Sequence, residues 1–264
     1  MQLLDVYLAA LTANLLTITA VALSHHLHSP MHFFLTNLFI LDLGCISVTM
    51  PKSMSNSLLN TRWISYAGCV AQVFCLICFL GANVSLLTVM AYDRYIAIFK
   101  PLHYEIIMNR RTCIQMAACA WAAGVMYSAL HTGNTFSLPF CRSNIINQFF
   151  CEVPQLLKLS CSDTYHRELA ALVFSLCLAL GCFAFIVVSY VQIFTAVWRI
   201  PSKQGRQKAF STCIPHLIVV SLFLSTGGIA YLKPISDSSS PLDLLAAVLY
   251  CVVPPLMNPI IYSM

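Results

Sequence analysis

Charged side chains are scarce in this chain. Asp, Glu, Lys and Arg make up 9% of its 264 residues, against about 25% in an ordinary soluble domain. A soluble fold with so few charges could not cover its surface with polar groups, so the scarcity excludes a cytosolic enzyme and a disordered chain. The net charge is only +5 and the basic residues do not form long runs, which argues against a nucleic-acid partner.

Long apolar runs take the place of the missing charges. Hydrophobic residues make up 59% of the chain, and the mean hydropathy is +0.80. A helix needs about 20 residues to cross a bilayer, and the long runs lack the alternation of an outer-membrane barrel. The sequence predicts an all-α membrane protein, a single seven-helix bundle over residues 1–264. Its spans are predicted at about 3–23, 33–54, 68–98, 113–130, 168–198, 209–232 and 242–262.

The orientation of the bundle follows from two signals in the connecting segments. With the N-terminus outside, more Lys and Arg side chains fall on the inner connections than on the outer ones, as the positive-inside rule requires. Cys141, Cys151 and Cys161 then lie in a long outer loop, where the oxidising compartment allows disulfides to form. Both signals predict an extracellular N-terminus.

Thirteen cysteines are present, and they fall into two groups. Most lie in apolar runs, Cys75-x-x-Cys78 among them, and are interpreted as small buried hydrophobic residues. Cys69 and the three cysteines of the long loop lie in or next to polar segments, which favours disulfides. Four cysteines allow three pairings, so the sequence alone leaves the pairing open.

Four polar residues lie at comparable depth inside the predicted spans. They are Asp42 in the second span and Asn14, Asn83 and Asn258 in the first, third and seventh. An ionisable group inside a membrane is costly and indicates function. Two interpretations stay open: a hydrated cluster that binds a sodium ion or a proton, or asparagines that hydrogen-bond the helices together. No other cofactor is predicted.

Two short motifs end the third and seventh spans. Asp93-Arg94-Tyr95 places a charge pair at the end of the third span, and Asn258-Pro259-Ile260-Ile261-Tyr262 ends the seventh. Pro259 removes a backbone hydrogen bond and allows a kink, so its neighbours can change partners. His216 lies among apolar residues of the sixth span and is interpreted as a packed histidine. No catalytic serine–histidine pair is recognised, and the protein is predicted not to be an enzyme.

Several longer stretches match one known family. The chain resembles the odorant (olfactory) receptors, rhodopsin-like (class A) G-protein-coupled receptors, over essentially its whole length. The resemblance implies a multi-pass protein of the plasma membrane, surrounded by lipid, that binds small, volatile, largely apolar odorants. It implies a heterotrimeric stimulatory G protein of the olfactory type as partner, which raises cyclic AMP. The matching stretches are Leu27-His28-Ser29-Pro30-Met31, Met90-Ala91-Tyr92-Asp93-Arg94-Tyr95-Ile96-Ala97-Ile98, Ser189-Tyr190, Lys208-Ala209-Phe210-Ser211-Thr212-Cys213 and Pro255-Leu256-Met257-Asn258-Pro259-Ile260-Ile261-Tyr262.

The resemblance also implies roles for single residues. It implies that Cys69 pairs with Cys151 and Cys141 with Cys161, and that Arg94 leaves Asp93 on activation. The odorant pocket would be lined by Leu76, Ile77, Leu80, Gly81, Phe174, Ser175, Leu178, Leu224, Gly228, Tyr231, Val248 and Cys251. Switching and G-protein coupling would depend on Asp93, Arg94, Tyr95, Tyr190, Lys208, Asn258, Pro259 and Tyr262.

Two alternatives remain beside the receptor hypothesis. A small channel or transporter would need polar groups along a continuous path through the bundle, and only the cluster around Asp42 offers any. A non-signalling product of a truncated gene would share the same spans without the coupling function.

Overall fold

The structure of the protein is a computed structural model, which describes residues 2–23, 29–58, 64–138, 151, 153, 156, 165–231 and 241–263. Within these residues the regular structure is helical, and no strand occurs among them. The predicted all-α class is therefore confirmed for the described part of the chain.

Seven long helices dominate the described residues, and every predicted span falls largely on one of them. Between Phe99 and Arg110 the chain makes one 3-10 turn, Pro101–His103, and a short helix, Tyr104–Ile107, here called the connecting helix. The long helices are α1 (Gln2–Leu23), α2 (Pro30–Leu58), α3 (Tyr66–Phe99), α4 (Arg110–Phe136), α5 (Tyr165–Trp198), α6 (Lys203–Tyr231) and α7 (Pro241–Ser263).

Six of these helices, α1 to α6, are long and apolar enough to cross a membrane, as judged from the described residues. Their most apolar windows have mean hydropathies between 1.4 and 2.3. The last helix, α7, is 23 residues long and stays helical through Pro254, Pro255 and Pro259. Fold and hydropathy thus agree on a polytopic helical bundle.

Polar capping residues extend the helices beyond the apolar spans. The Asn109 side chain caps α4 by accepting a hydrogen bond from the Thr112 amide at 3.0 Å, as good N-cap residues do. The Ser202 hydroxyl accepts one from the Gly205 amide at 3.3 Å. As a result α6 begins at Lys203, ahead of the predicted boundary at residue 209, because hydropathy does not register a polar first turn.

Helices that follow one another in the chain run in alternating directions. The last residues of α1, α3 and α7 and the first residues of α2 and α6 line one shared cavity. This side of the bundle is called the Arg94 end, and the opposite side, where α3 begins, the Cys69 end. A large cluster of buried side chains from α2 to α7, in which Phe34, Leu86 and Ile193 are fully buried, fills the interior toward the Arg94 end.

A close contact between α3 and α4 depends on glycine. A Cβ atom added at Gly124 would lie 2.5 Å from the Cys78 carbonyl oxygen and 3.0 Å from the Ala82 Cβ. A Cβ added at Gly81 would meet Tyr127 at 3.4 Å and the Gly124 Cα at 3.5 Å. Small residues let helix backbones approach in this way inside membranes, and α3 is thereby fixed in position against α4.

Candidate functional site

Arg94 is buried near the end of α3 without a charged partner. Only 3% of its surface is exposed, and no ion pair of Arg94 occurs in the described part of the chain. One terminal nitrogen, Nη1, lies 3.6 Å from the Met31 sulfur, and the Nε atom has no hydrogen-bond partner. In this state of the molecule Asp93 is hydrogen-bonded to another group, and its interaction with Arg94 is through charge alone.

The group bonded to Asp93 is Tyr104 of the connecting helix. Its hydroxyl donates a hydrogen bond to Asp93 Oδ1 at 2.7 Å. Burial and then the negative charge of Asp93 raise the pKa of Tyr104, so the hydroxyl keeps its proton and remains a donor. The bond fastens the connecting helix to α3. Sequence reasoning missed Tyr104, since no periodic pattern relates it to Asp93 across the turn at Pro101.

A cavity of about 360 Å³ opens beside Arg94. It brings Arg94 and Tyr262, two of the predicted switch residues, to one place. The hydroxyl oxygen of Tyr262 has no hydrogen-bond partner, and its ring meets Phe39 edge-on at 6.4 Å. The cavity is lined by Thr17, Ala20 and Val21 of α1, Met31, His32, Leu35 and Phe39 of α2, Arg94, Ser211, Thr212 and Pro215 of α6, and Tyr262 and Ser263 of α7.

A buried histidine links three helices next to this cavity. His216 Nε2 lies 3.1 Å from the Leu87 carbonyl oxygen, and since a carbonyl can only accept, Nε2 must donate. Nδ1 of the neutral ring then accepts a hydrogen bond from the Tyr190 hydroxyl at 2.7 Å. His216 is packed, as expected from its apolar surroundings, but it also joins α6 to α3 and α5. Tyr190, expected to become available to Arg94, is held by His216 in this state.

The remaining predicted switch residues lie apart from the cavity. The Tyr95 ring stacks on Phe99 with centroids 4.6 Å apart. Lys208 is exposed in the second turn of α6, and Pro259 lies buried within the uninterrupted helix α7. Arg94 and Tyr262 therefore form the centre of this site, while Tyr95 and Lys208 lie at its edge.

Three of the four polar residues of the predicted intramembrane cluster meet, whereas Asn14 bonds to the backbone of α7 one turn before Asn258. Asn258 Nδ2 donates to Asp42 Oδ2 at 2.8 Å, and Asn83 interacts with the same carboxylate. Asn14 Nδ2 donates to the carbonyl oxygens of Ala10 and Pro255, both at 2.8 Å. The amide oxygens of all three asparagines are buried and have no hydrogen-bond partner. The amide nitrogens thus connect the helices, and the oxygens are left for another donor or a cation.

A disulfide marks the opposite end of the bundle. It joins Cys69 at the start of α3 to Cys151, with their Cα atoms 5.6 Å apart, which is the pairing implied by the resemblance. The Cys151 amide also donates to Gln72 Oε1 at 2.9 Å, and Gln72 Nε2 donates to the Val48 carbonyl at 2.9 Å. Gln72 was not predicted, although its place one turn after Cys69 is a signal that could have indicated it. Cys141 and Cys161 lie outside the described residues.

We expect replacement of Cys69 by serine to reduce the amount of folded protein. The bond closes a long segment of chain, and loss of a native disulfide typically costs about 2–5 kcal/mol. Thermal unfolding of the purified protein would show the loss, and peptide mapping without reduction should recover Cys69 linked to Cys151. Cys119→Ser, at a free and exposed cysteine, is the matched control. A Cys69 peptide linked to Cys141 would refute the assignment.

The residues predicted to line an odorant pocket from α3 and α7 are largely packed. Leu76 and Cys251 are buried in one cluster with Ile46 and Tyr250, and Leu80 packs against it. Ile77 instead packs beside the disulfide. Gly81 faces Tyr127 and Gly124 of α4, so its position is explained by helix packing rather than by a ligand.

The predicted pocket residues of α5 and α6 are more exposed than those of α3 and α7. Phe174, Leu178 and Leu224 are exposed over almost half of their surface, and Gly228 is half-buried. The Ser175 hydroxyl donates to the Ala171 carbonyl at 2.7 Å, so it accepts from His131 Nε2, also at 2.7 Å. The side chains of Tyr231 and Val248 lie outside the described residues.

Comparison with known proteins decides the family. A family profile described as olfactory receptor matches residues 3–264. The chain belongs to the olfactory receptor family. It is 52% identical to human olfactory receptor 14A16 over 98% of this chain and 84% of that protein, and 51% identical to human olfactory receptor 14C36 over 98% and 83%. It is 42% identical to olfactory receptor 1G1 of Gorilla gorilla gorilla over 99% of this chain and 83% of that protein.

Membership of the family establishes the general function. The protein is an odorant receptor of the G-protein-coupled class, a multi-pass protein of the plasma membrane and not an enzyme. Odorants and G proteins are its partners in general terms. The helical bundle with several helices of membrane-spanning length agrees with this, and the receptor hypothesis is confirmed.

Proposed function

We propose that this receptor couples to a stimulatory G protein of the olfactory type and raises cyclic AMP. In the same proposal α7 is the seventh span, the N-terminus is extracellular and the Arg94 end faces the cytoplasm. The observation that carries the proposal is the cavity at the Arg94 end, which combines a buried guanidinium without an ionic partner with the first turns of α6.

The two ends of the bundle support this orientation. Lys100, Arg110, Arg111 and Arg199 are exposed at the Arg94 end, and basic residues favour the cytoplasmic side. The Cys69–Cys151 disulfide lies at the other end, where an extracellular environment preserves it. The 23 residues of α7 are enough to span the hydrocarbon core.

The Arg94 guanidinium is suited to bind the free carbonyl groups at the end of a helix. A buried cation that lacks a partner is costly, so the guanidinium gains free energy from any acceptor that enters the cavity. The last turn of a helix offers free carbonyl groups and a partial negative charge. A helical C-terminal segment of a G protein that inserted its end here would supply both to Arg94.

Access for such a segment requires α6 to move away from α3. The His216–Leu87 hydrogen bond joins the two helices and has to break in that movement. Tyr190 would then be released from His216 and could turn toward Arg94. An odorant that binds the opened state better than the closed one shifts the population toward it, and no covalent step is involved.

The described surface toward the Cys69 end suits small, uncharged ligands. Phe174, Leu178 and Leu224 offer apolar area that contributes about 25 cal/mol per Å² when covered. His131 and Ser175 form one polar point beside it, which could bind a ligand oxygen. A ligand of about ten heavy atoms can reach only modest affinity, since affinity per atom is limited.

A ligand screen tests the proposal. Cells that carry the receptor and an olfactory stimulatory G protein would be exposed to a panel of volatile alcohols, ketones, esters and hydrocarbons, with cyclic AMP as the readout. A saturable rise in cyclic AMP that requires both receptor and G protein is expected for some members. A response through calcium or through an inhibitory G protein, with cyclic AMP unchanged, would contradict the stimulatory assignment.

We propose in addition that the cluster around Asp42 holds a sodium ion. Hard cations bind carboxylate and amide oxygens, and the cluster contains one carboxylate and three buried amide oxygens without partners. Leaving such oxygens unpaired costs free energy. Asp42, Asn14, Asn83 and Asn258 would hold the ion between α1, α2, α3 and α7.

Sodium should stabilise the receptor, and Asp42→Asn should remove the effect. At a sodium concentration of roughly ten times Kd, binding adds about 1.4 kcal/mol to the stability of the folded state. The thermal midpoint in lipid nanodiscs would be compared in sodium chloride and choline chloride. Asp5→Asn, at an exposed carboxylate in the first turn of α1, should keep the sodium effect. An equal sodium effect in Asp42→Asn would rule out this site.

A further inference from the structure

The corner between α5 and α6 at the Arg94 end carries positive charge only. Arg199, Lys203, Arg206 and Lys208 follow one another within residues 199–208, and no Asp or Glu occurs between Glu168 and Asp237. Arg199, Lys203 and Lys208 are exposed. No acidic side chain near in sequence neutralises this group, which is here called the basic corner.

The end of α5 shows which way the basic corner faces. One face of the helix is buried, with Tyr190, Ile193 and Val197 in the core. The other face is a stripe of exposed apolar residues that includes Val188 and Val191 and ends at Trp198. In a membrane receptor such a stripe contacts lipid, so Trp198, with 67% of its surface exposed, continues the lipid-facing surface to its edge.

Trp198 holds one of the basic residues at that edge. The Arg206 guanidinium carbon lies 5.7 Å from the centroid of the Trp198 ring, the geometry of a cation–π contact. Trp198 meets Phe210 edge-on at 6.1 Å, and Phe210 stacks on Phe194 at 5.6 Å. The aromatic contacts thus fix the α5–α6 corner and direct a cation toward the lipid side rather than toward the cavity beside Arg94.

We infer that the basic corner binds an anionic phospholipid whose headgroup carries several phosphates, as in a phosphoinositide. Tryptophan is enriched at the level of lipid headgroups, which places Arg206 beside the phosphates. Clusters of at least four Lys or Arg next to a transmembrane helix bind such lipids, at about 1 kcal/mol per basic residue. The inference rests on the proposed orientation, because these lipids belong to the cytoplasmic leaflet.

Lipid binding would be measured in phosphatidylcholine nanodiscs by energy transfer from the receptor tryptophans to a fluorescent phosphatidylinositol bisphosphate. Because Trp198 is itself a donor, the charge variants keep it. Lys203→Gln/Arg206→Gln should weaken binding about 30-fold. Arg110→Gln/Arg111→Gln removes two exposed charges at the same end of the bundle and should weaken binding less than about 3-fold. Thermal unfolding checks that both variants remain folded.

The alternatives give different results. Equal weakening in both double variants would overturn the site in favour of diffuse charge attraction. Full competition by soluble inositol trisphosphate would show a site for free phosphates rather than for a membrane lipid. Unchanged lipid binding in the Lys203→Gln/Arg206→Gln variant would overturn the lipid site, and a separate loss of odorant-evoked cyclic AMP by that variant in cells would assign the basic corner to the G protein instead. The assay contains no odorant or G protein and offers the lipid in both leaflets, so failure of the signalling proposal would leave its result unaffected.

Discussion

Replacement of Arg94 by alanine is expected to abolish odorant-evoked cyclic AMP while the receptor still reaches the cell surface. The guanidinium is buried, lacks an ionic partner and lines the cavity proposed to admit the G protein. Removal of a central interface arginine costs at least about 2 kcal/mol of binding, or roughly 30-fold in affinity. A cyclic-AMP reporter and surface labelling on the same cells would measure both quantities.

The expected selectivity comes from the position of Arg94 in the structure. Arg94 makes no ion pair or close hydrogen bond with a charged group in the described part of the chain, so alanine breaks none, and the folded state should lose little stability. Odorant binding should remain, since Arg94 lies at the opposite end from the disulfide and the predicted pocket. Arg111→Ala, an exposed arginine in the first turn of α4, is the control and should signal normally. Normal signalling by Arg94→Ala at normal surface level would disprove the role assigned to it.

The helices could be predicted from the sequence because hydropathy is a local property. Each apolar run is long enough to require a helix in a bilayer, and the structure places a long helix on every one. The meeting of Asp42, Asn83 and Asn258 could be predicted for a similar reason, since polar residues at equal depth in a bundle have few partners except one another.

The partners of single side chains could not be predicted in this way. The Tyr104–Asp93 bond depends on how the chain turns after Pro101, and the Tyr190–His216–Leu87 chain depends on the rotation of three helices. Successive residues of a helix point in directions about 100° apart, so a shift of one residue in how a helix faces its neighbours brings a different side chain into contact. The sequence therefore indicated that His216 is buried, but it could not show which groups it joins.

The lining of the odorant pocket was even harder to predict from the sequence. The resemblance placed Leu76, Gly81 and Phe174 on one lining, whereas the structure buries Leu76 among α1, α2 and α7 and sets Gly81 against α4. Helical spacing identifies residues that share a face, but not which neighbour that face meets. The α3–α4 contact decides the case of Gly81, and it depends on Gly124, whose importance no pattern in the sequence indicates.

Gly124→Leu is therefore expected to destabilise the receptor and to lower its amount at the cell surface several-fold. A side chain at this position would collide with the Cys78 carbonyl and the Ala82 backbone, which cannot move without separating α3 from α4. Separation would also strain the Ser128–Phe74 and Trp121–Asn37 hydrogen bonds across the neighbouring helices. Overpacking a tight interior costs about 1–3 kcal/mol or more, against a total stability of about 5–15 kcal/mol.

The same substitution on the opposite side of α4 provides the control. Gly133 lies in α4 with no atom within 4 Å of a Cβ added there, and leucine favours a helix over glycine by up to about 1 kcal/mol. Surface labelling and thermal unfolding should therefore show a strong loss for Gly124→Leu and none for Gly133→Leu. Equal losses would mean that any bulk in α4 is harmful, whereas no loss in either would mean that α3 and α4 do not approach this closely. A loss confined to Gly124→Leu would show that the missing side chain at this position sets the distance between the helix that carries Arg94 and its neighbour.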